Sequence, residues 1–400
     1  MSPVGPVPVE RACRAVVLIV LDSVGIGGAP DADSFGDAGS ATLPHVAEAV
    51  GVELPNMAAL GLGRLADIKG VEAAADPAGA YGVMTERSPG KDTTTGHWEI
   101  AGIILDKPFP TYPDGFPDEV MKPFETAIAS PTLGNYAASG TEIIEKLGAE
   151  HMKTGHPIVY TSADSVFQIA THVDVVPLER LYEMCRIARE ILRGEHEVGR
   201  VIARPFRGEP GAFERTIDRH DFSVLPPQPT MLDAISGAGM EVRGVGKISD
   251  IFGGRGTTHS TPTKSNDAGI DAVIAETKEI SSGLVFANLV DFDQSFGHRN
   301  DPRGYAGALE GFDRRLPEIQ GALGDDCVLI ITADHGNDPT TPSTDHSRER
   351  VPVLCTGPGV APVDLRIRET FADCGATVLD LLGVDHEGPG ESWAQELLVK

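Results

Sequence analysis

The chain has 400 residues, a length that suits two or three domains. Lys and Arg total 33 against 59 Asp and Glu, which gives a net charge of −26. So acidic a chain repels nucleic-acid phosphates and anionic lipid, which excludes binding to either through bulk charge. With 41% hydrophobic and 23% charged residues, the composition is that of a globular protein and excludes a disordered one.

The N-terminal region predicts neither a membrane anchor nor a secretion signal. Its first ten residues contain three prolines and are expected to form a loose leader. The apolar run at residues 15–21 is far shorter than the roughly 20 residues of a membrane span, and no cleavage pattern follows it. Five scattered cysteines without a Cys-x-x-Cys pair argue against disulfides and a zinc knuckle. We therefore expect a cytoplasmic protein with no membrane partner.

Short apolar runs without alternation predict strands that are buried on both faces of a sheet. These runs lie at residues 16–21, 284–290, 328–331 and 351–355. Amphipathic patterns predict helices at residues 177–193, where Pro177 suits the first helical position, and at residues 370–382. Strands interleaved with helices predict an α/β fold whose mainly parallel sheet is covered by helices on both faces.

The middle of the chain is richer in proline and glycine than its flanks. Prolines cluster at residues 108–117 and again at 205–229, and clusters at both ends of a segment indicate a domain inserted into another. We predict a discontinuous core formed by residues 1–107 and 226–400. The inserted, smaller α/β domain would then span residues 108–225.

Three of the predicted strands end in an acid. Asp22 follows the first strand, Asp291 and Asp293 follow the second, and Asp334 follows the third. Ligands of an open α/β sheet bind beyond the carboxyl ends of its strands, so these acids are expected to share one rim. A single acid at such a position is commonly a helix cap, which is the simpler interpretation of Asp22 alone. Three such acids together favour a cation site.

Histidines accompany these acids. His298 follows Asp293 by five residues, His335 is adjacent to Asp334, and His346 comes shortly afterwards. A lone histidine is more often a polar residue of the core than a ligand. Mixed oxygen and imidazole donors suit manganese, zinc or iron better than calcium. Six candidate ligands exceed the needs of one tetrahedral ion and suit two, although spacing does not assign each ligand to an ion.

A hydroxyl-rich segment at residues 90–99 is the second feature with chemical potential. It places Thr93, Thr94 and Thr95 in a row between glycines, close to a lysine. Alone, such a segment is most simply a surface turn. Beside two cations, however, a threonine hydroxyl becomes a usable nucleophile. The segment is no nucleotide-binding phosphate loop, because Thr85 stands where that motif requires glycine.

These motifs together resemble the phosphopentomutase family of the alkaline phosphatase superfamily. They lie at residues 22–27, 90–99, 288–293, 333–338 and 344–346. Residues 333–336 are common to the superfamily, whereas residues 90–99, 161–165 and 246–250 are more particular to the mutases. The resemblance extends from about residue 15 to the C-terminus. It implies an alkaline-phosphatase-like core, with the inserted domain as a cap.

The resemblance also implies a role for individual residues. Thr93 is similar to the family's phosphorylated threonine. One Mn²⁺ ion would be bound by Asp22, Asp334 and His335, and the other by Asp293, His298 and His346. Asp291 is the alternative to Asp293, and the family's Asp-x-x-x-x-His spacing favours Asp293. The implied substrate contacts are Ser162, Asp164, Arg200, Arg204, Arg215 and Lys247.

The implied reaction interconverts α-D-ribose 1-phosphate, or its 2-deoxy analogue, with the 5-phosphate in nucleotide and pentose phosphate metabolism. It would pass through a phosphothreonine enzyme and a 1,5-bisphosphate, with a sugar 1,6-bisphosphate as activating primer. The expected partners are small sugar phosphates, and the sequence leaves the oligomeric state open. The alternatives are a phosphatase, a phosphoglycerate mutase, for which serine would be the expected nucleophile, and a metal-binding protein without catalysis.

Overall fold

The computed structural model describes residues 12–162, 164–385 and 387–398. The proline-rich leader, and Ala163 within the motif at residues 161–165, lie outside the described residues. The chain divides into two compact units, of which the first comprises Met1–Lys107 and Pro226–Lys400 and the second comprises Pro108–Leu225. We call the first the main unit and the second the insert.

Strands and helices alternate along most of the chain. The strands are β1 (Ala15–Leu21), β2 (Ala80–Met84), β3 (Leu133–Ala137), β4 (Ile158–Thr161), β5 (Val166–His172), β6 (Arg200–Arg207), β7 (Glu214–Arg215), β8 (His220–Ser223), β9 (Glu241–Val245), β10 (His259–Thr261), β11 (Gly283–Leu289), β12 (Cys327–Thr332), β13 (Val351–Thr356) and β14 (Asp364–Arg368). The helices are α1 (Thr42–Val50), α2 (Pro55–Leu60), α3 (Thr93–Ile100), α4 (Asp118–Ile128), α5 (Gly140–Thr154), α6 (Leu178–Ile191), α7 (Met231–Gly237), α8 (Ile248–Ile251), α9 (Asn266–Glu279), α10 (Pro302–Ala322), α11 (Ala372–Leu382) and α12 (Ala394–Leu397). Single turns of 3₁₀ helix occur at Ala32–Phe35, Leu62–Arg64, Gly194–His196 and Gly297–Arg299, and a π-helical turn lies at Phe292–Phe296.

The main unit is built on one sheet with the strand order β10-β9-β11-β1-β12-β13-β2-β14. The five strands from β10 to β12 run parallel, whereas β13 is antiparallel to both β12 and β2. Every residue of β1, β11 and β12 is buried, as expected for strands covered on both faces. The mixed α/β architecture with a mainly parallel sheet confirms the predicted fold class.

The four predicted strands correspond to β1, β11, β12 and β13, each within one residue of the predicted bounds. The two predicted helices are α6 and α11. One detail was wrong. Pro177 is the N-cap of α6 rather than its first helical residue, because its ψ of 145° is extended and Leu178 begins the helix.

The insert is a smaller α/β unit with its own sheet, ordered β3-β4-β5-β6-β7, with β8 also paired to β6. Helices cover both faces of this sheet. Phe124 of α4 and Leu181 of α6 pack in one hydrophobic cluster with Phe167 of β5. On the other face, Ile143 of α5 packs in a second cluster with Phe206 of β6.

The five cysteines of the chain lie buried as thiols. Among the described residues, no helix has both the length and the apolar character needed to cross a bilayer. The cytoplasmic location stays a prediction.

Candidate metal centre

The parallel strands β1 and β12 bring Asp22, Asp334 and His335 together at their carboxyl ends. His335 Nε2 lies 3.4 Å from Asp22 Oδ1 and 3.4 Å from Asp334 Oδ2. None of the three side chains is more than 1% exposed. Asp22 caps no helix, since a turn follows it and Ser23 has a φ of 73°.

Two oxygens of this group point to a cation. Asp22 Oδ1 and Asp334 Oδ2 are buried and accept no hydrogen bond from the described residues. His97 Nδ1 lies 3.0 Å from Asp334 Oδ2, but its N–H donates to the carbonyl of Thr93 at 2.9 Å. A buried carboxylate oxygen without a partner is costly, so these oxygens, with one imidazole, fit a divalent metal.

A second group forms around Asp293, which lies in the π-helical turn after β11. Its Oδ2 is 3.2 Å from His298 Nε2, and its Oδ1 is 3.3 Å from His346 Nε2. The two histidine Nε2 atoms are 3.2 Å apart. Asp291, the alternative to Asp293, has a hydrogen-bond partner elsewhere. Its Oδ2 accepts the backbone N–H of Asn266 at the start of α9.

His335 stands between the two groups. Its ring centroid is 4.1 Å from that of His346, and ligand atoms of Asp293, His335 and His346 lie within 4.8 Å of one another. Ligand atoms of Asp22, Asp334 and His335 satisfy the same limit. The structure thus brings all six sequence-predicted ligands to one rim, with His335 in reach of both groups.

Neighbouring charges decide the ionisation of these acids. Burial alone would raise the pKa of Asp293, but His346 and His298 bring it well below its ordinary value. Burial likewise opposes the low pKa of Asp334, which His335 and His97 produce. Burial would lower the pKa of His335, yet Asp334 and Asp22 beside it raise the pKa well above the ordinary value. The lowered pKa values of Asp293 and Asp334 favour the ionised form that a metal ligand requires.

Thr93 opens helix α3 next to this rim. Its Oγ1 lies 3.2 Å from His335 Nε2. The N-cap Asp92 accepts the backbone N–H groups of Thr94 and Thr95 at 3.0 and 3.1 Å, which fixes the first turn. A helix N-terminus favours negative charge, so the position suits a phosphoryl group on Thr93.

Two positively charged side chains, Lys91 and Arg348, hold the segment that leads to Thr93. Lys91 Nζ lies 3.1 Å from Asp37 Oδ2 and 3.2 Å from Asp345 Oδ2. Arg348 is 1% exposed and its Nη1 donates to the carbonyl of Gly90 at 2.5 Å. The sequence motifs did not reveal Arg348, because it lies outside them and its partners are distant in the chain.

His97 and Asn288 lie within the predicted motifs but were not predicted as individual site residues. Both side chains are fully buried, and the Asn288 amide donates to Asp22 Oδ2 at 2.9 Å. Two signals could have found them. His97 follows Thr93 by four residues and so shares its helical face, and Asn288 is the polar residue of the otherwise apolar strand β11.

The predicted substrate contacts of the insert lie on or beside its sheet. Arg200 Nη2 is 3.5 Å from Asp164 Oδ2, so these two residues form an ion pair. The family resemblance gives them different roles, Arg200 at the distal phosphate and Asp164 at the ribose hydroxyls. Arg204 Nη2 donates to Gln168 Oε1 at 2.8 Å, and its buried Nε donates to none of the described residues. Arg215 is exposed on β7. Ser162 follows β4, and Lys247 belongs to the main unit, where it precedes α8.

Comparison with known proteins agrees with this chemistry. Residues 14–386 match the family model of the metalloenzyme superfamily. The chain therefore belongs to a superfamily of metal-dependent enzymes, to which its rim of carboxylates and imidazoles is suited.

Within that superfamily, several curated proteins similar to this chain are phosphopentomutases. The enzyme of Caldanaerobacter subterraneus subsp. tengcongensis is 57% identical over 97% of this chain and 99% of its own length. That of Carboxydothermus hydrogenoformans is 58% identical over 96% of this chain and 99% of its own. The chain belongs to the phosphopentomutase family, which confirms the resemblance of its motifs.

A solved structure supports the fold. The PH0037 protein of Pyrococcus horikoshii is 19% identical, with a TM-score of 0.50, and the match covers 94% of this chain and 99% of that one. At that identity, the likeness concerns the fold alone.

Proposed function

We propose that this enzyme interconverts α-D-ribose 1-phosphate, and its 2-deoxy analogue, with the corresponding 5-phosphate. The relatives that share more than half of its residues are named phosphopentomutases. The observation that carries the proposal is the position of Thr93, whose hydroxyl oxygen lies 3.2 Å from His335 where two groups of ligands meet.

We infer that the rim holds two Mn²⁺ ions. Asp22, Asp334 and His335 would bind one, and the other would be bound by Asp293, His298 and His346. The orphaned carboxylate oxygens and the mixed O/N donors support this inference. Bound divalent ions would supply charge neutralisation for the phosphoryl oxygens and a lower pKa for the Thr93 hydroxyl.

Thr93 would carry the phosphoryl group between the two ends of the sugar. The P–O bond of phosphothreonine breaks as the free sugar hydroxyl forms its own P–O bond, and the hydroxyl proton passes to Thr93 Oγ1. The resulting 1,5-bisphosphate then returns its other phosphoryl group to Thr93 by the reverse exchange. The N-terminus of α3 favours the charge of the phosphate, and a sugar 1,6-bisphosphate would load the enzyme initially.

The sugar phosphate would be held by the residues that the family resemblance assigns to it. Arg200, Arg204 and Arg215 would bind the distal phosphate, because guanidinium groups match phosphate oxygens in pairs. Ser162 and Asp164 would bind ribose hydroxyls, and Lys247 would add a positive charge. The unused buried Nε of Arg204 supports the assignment to an anion.

The test measures isomerisation and phosphate release from ribose 1-phosphate, with the chelator-treated enzyme, added Mn²⁺ and a sugar 1,6-bisphosphate primer. We expect isomerisation to dominate and a phosphoryl adduct to appear in the intact mass. Thr93→Ala should lose both the isomerisation activity and the phosphoryl adduct. The control Thr94→Ala, one residue along, should keep the adduct. Dominant phosphate release would identify a phosphatase instead, and the absence of an adduct on the metal-loaded enzyme would overturn the phosphothreonine.

A further inference from the structure

Two buried asparagines and one histidine surround the metal rim without being ligands. We propose that Asn288 and His97 are positioning residues that connect the metal ligand Asp22 to Thr93, and that Asn337 orients Asp293 in the same way. The roles of the metal ions and of Thr93 in this connection rest on the proposed function. The contacts that connect these residues are observed in the structure and do not depend on the proposed function.

Asn288 is oriented by its partners. Its Nδ2 donates to Asp22 Oδ2 at 2.9 Å and lies 3.3 Å from His97 Nε2. The reversed amide would turn a carbonyl oxygen against the carboxylate of Asp22, so the observed orientation is the stable one. With one N–H on each partner, Asn288 holds a carboxylate and an imidazole at the same time.

His97 extends the connection to the nucleophile. Its Nε2 faces the N–H of Asn288 and acts as an acceptor, which leaves the proton on Nδ1. That Nδ1–H donates to the carbonyl of Thr93 at 2.9 Å. The ring is fully buried and stacks on Phe286, with centroids 5.9 Å apart. The imidazole of His97 therefore fixes the backbone of Thr93 relative to Asp22.

Asn337 makes the corresponding contact in the second group of ligands. Its Nδ2 donates to Asp293 Oδ1 at 2.8 Å, and its side chain is fully buried. Gly297 leaves room for this amide, because a Cβ at that position would lie 2.7 Å from Asn337 Nδ2. Each group of ligands thus contains one carboxylate that is held by one asparagine.

The hydrogen bond also selects the oxygen that would be available to a bound cation. Asn288 occupies Oδ2 of Asp22, which leaves Oδ1, the oxygen without a hydrogen bond from the described residues and 3.4 Å from His335 Nε2. Partners that orient metal ligands in this way typically contribute tenfold to hundredfold in metal affinity. Asn288 and Asn337 should therefore control Mn²⁺ binding without touching the ion.

A direct titration of the chelator-treated protein with Mn²⁺ tests the asparagines. Asn288→Leu and Asn337→Leu should each weaken Mn²⁺ binding by about tenfold to hundredfold. The matched control is Asn56→Leu, because Asn56 Nδ2 donates to the buried carboxylate of Asp313 at 3.0 Å, outside the metal rim. This control should lower thermal stability and leave Mn²⁺ affinity unchanged. Folded leucine variants that bind Mn²⁺ like the wild type would overturn the proposal.

Two histidine variants separate the two ends of the connection. In His97→Asn the amide nitrogen replaces Nδ1 and keeps the bond to Thr93. In His97→Gln the amide oxygen replaces Nε2 and keeps the bond to Asn288. We expect His97→Asn to weaken Mn²⁺ binding, and His97→Gln to slow phosphorylation of Thr93 by a sugar 1,6-bisphosphate, at least tenfold in each case.

Identical defects of the two histidine variants in both measurements would refute the connection and leave a general packing role. These variants keep the proposal testable even where a leucine variant fails to fold. The Mn²⁺ titration needs no turnover, so it decides the role of Asn288 separately. A wild type that binds Mn²⁺ but accepts no phosphoryl group would overturn the proposed function alone.

Discussion

Arg348 is a buried cation on which the position of the nucleophile segment depends. Its Nη1 donates to Glu86 Oε2 at 2.6 Å and to the carbonyl of Gly90 at 2.5 Å, and its Nε donates to Asp31 at 3.1 Å. Arg348→Met keeps much of the volume but leaves Glu86, which is 1% exposed, without its cation. Breaking a buried pair in this way costs about 3–5 kcal/mol of unfolding free energy.

The free energy is measured by urea unfolding of the wild type, Arg348→Met, Glu86→Gln and the double variant. Burial already raises the pKa of Glu86 well above its ordinary value, and Arg348 opposes that rise. The double variant should therefore lose less than the sum of the single losses. Arg315→Met, which breaks exposed ion pairs, should change stability far less. An Arg348→Met variant as stable as this control would refute the reasoning.

Three further changes test other parts of the structure. Gly96→Ala should weaken Mn²⁺ binding, because its Cβ would overlap the carbonyl oxygen of Asp334. The control Gly307→Ala, whose Cβ would have no atom within 4 Å, should instead add about 0.5–1 kcal/mol to the free energy of unfolding. Equal Mn²⁺ affinities of the two variants would contradict this prediction. Burial lowers the pKa of His151, so its contribution to stability is complete above the unfolded pKa of about 6.5 and is lost as the pH falls. Between about pH 7.5 and about pH 5.5, urea unfolding should show the wild type losing up to about 1.4 kcal/mol more than His151→Gln, and equal losses would refute this. A chelator should lower the unfolding temperature, since a cation at a hundredfold excess over its Kd stabilises by about 2.7 kcal/mol, and an unchanged temperature would argue against a resident metal.

The buried strands could be predicted because continuous apolar runs leave few alternatives. The antiparallel direction of β13 could not. β13 is nearly as buried as β1, yet it runs antiparallel to β12, and its apolar run does not reveal that direction. Direction depends on the path of the connecting chain, which local patterns do not contain. The edge strand β14 was missed for another reason, because it is largely exposed and bends at Arg366, whose φ is 60°.

The gathering of these acids at one rim could be predicted from a single geometric rule. Acids that follow parallel neighbours emerge at the same edge, and β1 does pair in parallel with both β11 and β12. The supporting residues lie beyond that rule. Arg348 acts through residues 31, 86 and 90, which are close to it only in the folded chain. Asn288 could be suspected from its place in an apolar strand, but its two partners could not.

An acidic chain binds phosphate by local arrangement rather than by total charge. In the insert, burial would raise the pKa of Asp221, yet the neighbouring Arg219 and Arg200 lower it. At the metal rim the carboxylates would be neutralised by cations, while the first turn of α3 presents its positive end to Thr93. The net charge of −26 therefore disfavours the approach of polyanions. It does not prevent the binding of a small phosphate at a site where the local charge is positive.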